Sequence, residues 1–132
     1  MSQENVEIVR RIYASWAPGS SPAGSKLMHP DIEWVNPRDA LEPGTKRGIE
    51  AFASITEGLD ETIGDLRMDV ERFIDAGDRV VVIATMRGHG RSSGVAIERR
   101  HGSVWTIRDG KAARFQWFYE PDHALEAVGL SE

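Results

Sequence analysis

The sequence predicts a single α+β domain in which helices lie on one face of a strongly curved antiparallel sheet. Three observations predict this fold. Two stretches in the first half of the chain repeat apolar residues at helical spacing, and the second half alternates apolar and polar residues as strands do. Tight-turn signals join those strands into hairpins. With 132 residues, the chain has room for one core.

The first half is predicted to hold two helices and one short strand. The first helix spans Asn5 to Trp16, and its apolar face consists of Val6, Val9, Ile12, Tyr13 and Trp16. Small residues, Gly and Pro over 17–25 end it, and a loop or a short, weak helical turn is expected around Lys26 to His29. Asp31 to Asn36 alternates as a strand. A polar loop with Pro43 and Gly44 follows it. The second helix comes next, with an apolar face of Ile49, Phe52, Ile55 and Leu59.

The second half is predicted to form four strands joined by hairpins. These strands are expected at Leu66 to Ile74, Arg79 to Gly88, Val95 to Ile107 and Ala112 to Glu120. Asp109-Gly110, between two alternating runs, is the strongest turn signal in the chain. A short helix from Asp122 to Val128, ended by Gly129, closes the domain.

Composition and charge exclude several classes of function. The 16 Lys and Arg against 21 Asp and Glu give a formal net charge of −5, the wrong sign for a protein that neutralises nucleic-acid phosphates. The absence of cysteine excludes disulfides, thiol catalysis and zinc–thiolate sites. The longest apolar run, Val80 to Ala84, is too short to cross a bilayer, and no signal peptide is visible. We therefore expect a cytoplasmic protein without nucleic-acid or membrane partners.

Six blocks of sequence span nearly the whole chain: VEIVRRIYASW, HPDIEWVNP, EPGTKRGIEAF, FIDAGDRVVV, VWTIRDGK and ALEAVGL. Together, and in this order, they resemble the SnoaL-like branch of the nuclear-transport-factor-2-like superfamily, which includes ketosteroid isomerase and limonene epoxide hydrolase. The resemblance implies one domain over 1–132, shaped as a cone in which about three helices pack on the concave face of the sheet. It also implies a deep pocket and a homodimer. It does not name a reaction, because members include isomerases, cyclases, hydrolases and binding proteins.

Three residues are the candidates for catalysis. Glu120 ends the last strand, and the resemblance implies acid–base chemistry for an acid in this region of the cone. Arg99 and His101 share a face of the third of these strands with apolar residues, where buried charges need partners. The hypothesis is that they line the pocket and orient Glu120 or polarise a substrate oxygen. The alternatives are a Glu120 in solvent or capping the last helix, and a strand that turns its other face inward.

Seven further residues are predicted to bind substrate, although core packing is the competing account for most of them. The aromatic ones are Tyr13, Trp16, Trp34, Phe52, Trp105 and Phe118. Phe118 is included because strand alternation places it on the same face as Glu120. Asn36 takes the place of the carboxylate base when VNP is aligned with the EDP block of ketosteroid isomerase. An amide accepts no proton, so Asn36 would hydrogen-bond a ligand carbonyl or cap the turn at Pro37.

Together these residues predict a cofactor-independent acid–base enzyme, an isomerase, cyclase or hydrolase, that acts on a small apolar metabolite. No His, Asp and Glu set has metal-ligand spacing, so no metal site is expected. The alternative is a non-catalytic small-ligand-binding or dimeric interaction domain. Self-association is expected through the exposed sheet face that carries Thr85, Arg87, His89 and Arg91.

Overall fold

Three helices and six strands alternate along residues 2–16 and 26–130, the part of the chain that the computed structural model describes. The helices are α1 (Ser2–Ala14), α2 (Ile49–Thr62) and α3 (Pro121–Ala127). The strands are β1 (Met28–Asn36), β2 (Gly44–Arg47), β3 (Ile63–Ala76), β4 (Arg79–Gly90), β5 (Ala96–Arg108) and β6 (Lys111–Phe118). The loop expected over 17–25 lies outside the described residues. Within the described residues, no helix is long and apolar enough to cross a membrane.

The six strands form one sheet in the order β2-β1-β6-β5-β4-β3. All neighbours run antiparallel except β1 and β6, which pair in parallel and set Val35 opposite Gln116. The predicted Asp-Gly turn joins β5 to β6, with Asp109 at φ 53° and Gly110 at φ 74°. Register shifts in β3 and β5 add bends to the sheet. The α+β class with a curved, mostly antiparallel sheet is confirmed.

Two short segments differ from the sequence prediction. The polar residues of β2 were expected in a loop, because all four are exposed and none is apolar, so no alternation is visible. They form a strand by pairing with β1, where Asn36 lies opposite Gly44. The loop or weak helical turn expected at Lys26 to His29 is shorter than predicted, since a turn covers only 26–27 and β1 begins at the buried Met28, which pairs with Ala112 of β6.

The inner face of the sheet carries the larger core, which α1 and α2 cover. Trp105 of β5 lies at its centre and is fully buried. Its ring centroid lies 4.6 Å from that of Phe115 in β6 and 6.4 Å from that of Phe52 in α2. Burying one such aromatic side chain stabilises the fold by roughly 1.5–3 kcal/mol, so this cluster fixes the helices on the sheet.

The outer face carries a smaller core under α3, where Ala124 and Leu125 pack against Val81, Ile83 and Val104. The third helix therefore lies on the opposite face from α1 and α2, whereas the sequence prediction placed all three together. The physical reason is visible in β4, whose first residues form a continuous apolar run. Such a run indicates a strand that is covered on both faces, and the helix on the second face is α3.

Beyond α3, the outer face is a layer of paired charges. Arg87 donates to Asp69 Oδ2 at 2.7 Å and forms an ion pair with Glu98. Strand alternation and the β4–β5 register place Thr85, Arg87 and His89 on this face, and Arg91 lies just past the end of β4. Self-association through this surface stays a prediction.

Among the glycines of the sheet, Gly102 of β5 is the one that α3 approaches most closely. A Cβ added there would lie 2.7 Å from Cβ of Ala124 and 3.0 Å from Cα of Pro121. Gly102→Ala should therefore displace α3 and lower the free energy of unfolding by about 1–3 kcal/mol in urea denaturation.

The matched control is Gly58→Ala within α2, where an added Cβ would meet nothing within 4 Å. This substitution should raise the free energy of unfolding by up to about 1 kcal/mol, because alanine favours the helix. A Gly102→Ala protein as stable as the unsubstituted chain would contradict the packing of α3 on the outer face.

Candidate functional site

A cavity of about 410 Å³ opens on the inner face of the sheet, within the size range of small-molecule sites. Every strand contributes at least one side chain to it. Its apolar walls are Trp16, Trp34, Ile55, Leu59, Met68, Met86, Phe115, Trp117 and Tyr119. Its polar lining residues are Asn36, Glu42, Lys46, Arg99 and His101.

Asn36 joins two of the aromatic walls. Its side-chain oxygen accepts hydrogen bonds from the indole Nε1 of Trp34 and of Trp117, each at 2.8 Å. Its Nδ2 donates to the backbone carbonyl of Glu42 at 2.9 Å, which holds the loop after β1. The parallel pairing of β1 with β6 makes this arrangement possible, because it places the end of β1 beside Trp117. With both oxygen lone pairs used, Asn36 is a positioning residue for the indoles.

Arg99 lies at the mouth of the cavity, with half of its side chain exposed. Its Nη2 donates to the backbone carbonyl of Tyr119 and to Oε1 of Glu120, both at 3.2 Å. The guanidinium carbon lies 5.8 Å from the centroid of the Tyr119 ring, within the range of a cation–π contact. These contacts place a positive charge beside the aromatic wall.

His101 lines the same side of the cavity, two residues further along β5. Burial lowers the pKa of His101, and the positive charge of Arg99 lowers it further, against the effect of a hydrogen bond to the Arg99 backbone. Nδ1 lies 3.3 Å from that carbonyl oxygen, which only accepts, so Nδ1 carries the proton of the neutral ring. At neutral pH, Nε2 of His101 therefore holds a lone pair that accepts a proton.

Glu120 does not line the cavity. Its side chain is 59 % exposed, and it is the N-cap residue of α3 without a side-chain capping hydrogen bond. The alternation of β6 explains this position, because the side chains at 115, 117 and 119 face the cavity. Phe118 accordingly packs against the outer core under α3, away from the cavity. The ion pair with Arg99 connects Glu120 to the site.

Of the other aromatic residues predicted to bind substrate, Trp16 and Trp34 line the cavity. Phe52 and Trp105 are fully buried in the core instead. Tyr13 belongs with them: its hydroxyl accepts from Trp105 Nε1 at 3.2 Å and lies 3.3 Å from Ser103 Oγ. Burial raises the pKa of Tyr13, so its phenol stays protonated within this network. Core packing, the competing account, describes these three residues.

Sequence reasoning missed the contribution of β6 and of the methionines. Phe115, Trp117 and Tyr119 alternate along the strand, which is a visible signal for one aromatic face. The sequence prediction instead chose the face of β6 that contains Phe118 and Glu120, which is the face turned away from the cavity. Met68 and Met86 carry no such signal, because methionine at these positions is typical of any core.

The arrangement offers a proton acceptor and a cation beside an apolar wall. A neutral histidine can remove a proton from a carbon or oxygen acid, and a guanidinium stabilises the negative oxygen that develops. Within residues 2–16 and 26–130, no three His, Asp or Glu side chains form a group that could hold a metal ion.

Asn36→Leu should leave two indole N–H groups and the Glu42 carbonyl without their partner. We expect a loss of about 1–3 kcal/mol in the free energy of unfolding. In two-dimensional proton–nitrogen NMR spectra, the indole resonances of Trp34 and Trp117 should both shift, while that of Trp105 stays in place. The control Tyr13→Phe should shift Trp105 instead. Unchanged resonances of Trp34 and Trp117 in Asn36→Leu would contradict the arrangement.

His101 should make the protein less stable in acid. Its pKa is lower in the folded chain than in the unfolded chain, so the unfolded chain binds the proton more readily. Above the ordinary histidine pKa of 6.5, the contribution of His101 to the free energy of unfolding is complete. It is lost as the pH falls from that pKa towards the lower pKa of the folded chain. His101→Gln should therefore lose less stability over this range in urea titrations at several pH values. An identical pH dependence in both proteins would exclude this contribution.

Comparison with solved structures finds the same architecture in proteins of several sources. TerC, co-crystallized with polyporic acid, is 29% identical with a TM-score of 0.75, over 95% of this chain and 98% of that one. A candidate SnoaL-like polyketide cyclase from Jannaschia sp. CCS1 is 22% identical with a TM-score of 0.76, over 89% and 85% of the two chains. Bal32a, from a soil-derived mobile gene cassette, is 19% identical with a TM-score of 0.78, over 96% and 97%.

Sequence comparison points the same way. Uncharacterized proteins of Mycobacterium tuberculosis and Mycobacterium bovis are 24% identical over 124 residues, which cover 93% of this chain and 94% of theirs. The model of the SnoaL-like domain matches residues 9–115, which include the second half of α1, all of α2 and nearly all of the sheet. The chain therefore belongs to the SnoaL-like domain family.

Proposed function

We propose that the chain binds a small, flat, largely apolar molecule in its cavity and catalyses a proton transfer on it, with His101 as the proton acceptor. The observation that carries this proposal is the position of His101. It lines an apolar cavity with Nδ1 3.3 Å from the Arg99 backbone carbonyl, and burial lowers its pKa, which favours the neutral imidazole with Nε2 as the base. Proton transfer at neutral pH needs such a base.

The walls of the cavity support a flat ligand. The indoles of Trp34 and Trp117 are held by one acceptor, Asn36, so neither ring turns without breaking a hydrogen bond. Tyr119 packs edge-on against Trp117, with 4.8 Å between ring centroids. Rigid aromatic walls of this kind favour the face or edge of a planar molecule over a branched one.

The reaction would begin when Nε2 of His101 takes a proton from a carbon next to a carbonyl group of the ligand. The C–H bond breaks, its electron pair moves into a carbon–carbon double bond, and the carbonyl oxygen becomes negative. Arg99 stabilises that oxygen at the mouth of the cavity. Where the carbonyl is conjugated with a carbon–carbon double bond, return of the proton from His101 to the remote carbon of the dienolate restores the carbonyl and gives an isomer. Alternatively, the enolate carbon attacks a second carbonyl, whose π bond breaks as the carbon–carbon bond forms. The new alkoxide then takes the proton from His101, which gives a cyclic alcohol. This chemistry uses no cofactor.

The similar proteins support a role with small organic molecules. TerC was co-crystallized with polyporic acid, and its similarity extends over nearly the whole of both chains. Within the expected group of isomerases, cyclases and hydrolases, the combination of His101 and Arg99 favours the first two, because a hydrolase must also hold a water molecule.

The second candidate is binding without turnover. The structure favours it at two positions: Asn36 is committed to the two indoles, and Glu120 points away from the cavity. Among the described lining residues, the imidazole of His101 is then the proton acceptor on which turnover depends. The predicted homodimer and cytoplasmic location stay predictions.

The proposal is tested by proton exchange at a model ketone. The chain should accelerate exchange of the acidic protons of β-tetralone in heavy water above the buffer rate, as followed by NMR. His101→Gln should reduce the acceleration by at least roughly tenfold, since general base catalysis commonly supplies more than that. The rate should also fall in acid, with a midpoint below the ordinary histidine pKa of 6.5, because burial lowers the pKa of His101 and only the neutral ring accepts a proton.

Glu120→Gln is the matched control, since it removes the acid that lies outside the cavity. It should keep exchange within a few-fold of the unsubstituted chain. If Glu120→Gln abolishes exchange and His101→Gln does not, the assignment of the base is wrong. Saturable quenching of tryptophan fluorescence by β-tetralone without any proton exchange would overturn catalysis and support the second candidate, binding without turnover.

A further inference from the structure

We propose that the natural ligand carries a negatively charged group beside its aromatic body, and that Arg99 binds that group at the mouth of the cavity. The inference deepens the proposed function and rests on it, since it names the class of ligand that the same cavity selects: a planar amphipathic anion, such as an aromatic carboxylate, sulfonate or acidic enol.

Within the described residues, only one of the three nitrogens of the Arg99 guanidinium donates a hydrogen bond. Both hydrogen bonds that it makes within the described residues come from Nη2, to Tyr119 and Glu120. A guanidinium has five N–H groups, so those of Nε and Nη1 remain for another acceptor. Carboxylate and sulfonate oxygens accept charge-assisted hydrogen bonds from such N–H groups.

Glu120 offsets the charge of Arg99 only in part. Its side chain is 59 % exposed, that of Arg99 is 50 % exposed, and a single distance of 3.2 Å joins them. Ion pairs as exposed as this one are screened by water and contribute little to stability. Glu120 is absent from the cavity lining, to which Arg99 belongs, and it accepts from Nη2. An anion in the cavity that accepts from Nε or Nη1 therefore need not displace it.

The cavity side is where an anion gains most from Arg99. Apolar side chains form most of the wall around it, so an ion pair there is less screened than on the open surface. The other charged lining residues, Glu42 and Lys46, are exposed, lie at or near β2 and have opposite signs. The whole chain, at −5, repels anions. A preference for anions must therefore come from Arg99 itself.

The test uses two fluorescent probes that share one body. Anilinonaphthalene sulfonate and N-phenylnaphthylamine differ by the sulfonate group alone, and both become fluorescent in apolar sites. The unsubstituted chain should bind the sulfonate several-fold more tightly. In Arg99→Gln, affinity for the sulfonate should fall roughly tenfold, as expected for a lost charge-assisted hydrogen bond, while the neutral probe binds as before.

Arg91→Gln is the matched control. Arg91 is 49 % exposed and is paired with a carboxylate, Asp60, but it does not line the cavity. It therefore reports the effect of removing one positive charge from the surface. Glu120→Gln is the opposite test: loss of the competing carboxylate should tighten binding of the sulfonate a few-fold and leave the neutral probe unaffected.

The outcomes separate this inference from the proposed function. If neither probe binds, the cavity is not a ligand site and the proposed function fails as well. If the neutral probe binds but the sulfonate binds no more tightly, or if Arg99→Gln behaves like Arg91→Gln, the inference is overturned and the cavity remains an apolar site. Retained binding of the neutral probe by Arg99→Gln shows that this variant is folded.

Discussion

The parallel pairing of β1 with β6 is the constraint on which the site depends. A parallel pair cannot be closed by a tight turn, so the chain passes through α2 and four further strands before its last strand returns beside the first. That detour encloses the inner face of the sheet. It also sets Trp34 and Asn36 next to Trp117, from opposite ends of the sequence. The cavity exists because these two strands meet.

Within that enclosure, the charges are graded from core to solvent. Tyr13 is buried and uncharged, His101 lines the wall and is kept neutral by burial, and Arg99 reaches the mouth with its charge intact. Neutral groups lie where desolvation is costly, and the cation lies where water still reaches it. One strand, β5, carries both of the groups that the proposed chemistry uses, so their spacing is set by the sheet itself.

Much of the fold could be predicted because it rests on local patterns. Helical spacing located α1 and α2, and Asp109-Gly110 located the last hairpin. The short edge strand β2 was missed because its pairing partner, not its own residues, makes it a strand. Predicting which face of the sheet α3 covers required recognising that β4 is covered on both faces. Each error concerns a contact between segments that are far apart in sequence, which periodicity does not report.

The site was harder to predict for the same reason. The alternation of β5 placed Arg99 and His101 on one face without deciding which face is the inner one, and both residues line the cavity. An assumption about Glu120 reversed the face of β6. The role of Asn36 depends on an indole 81 residues away, and no sequence pattern connects them. Trp34 lines the cavity and Trp105 fills the core, but both are tryptophans in alternating strands, so the sequence pattern does not distinguish them.

The double acceptor role of Asn36 also bears on how this cavity could evolve. A carboxylate at position 36 would receive two indole N–H groups on its oxygens, and such donors stabilise the ionised form. The acid would then be a weaker base than one in a purely apolar pocket. The two indoles, and not only the amide, therefore disfavour proton abstraction by a side chain at position 36.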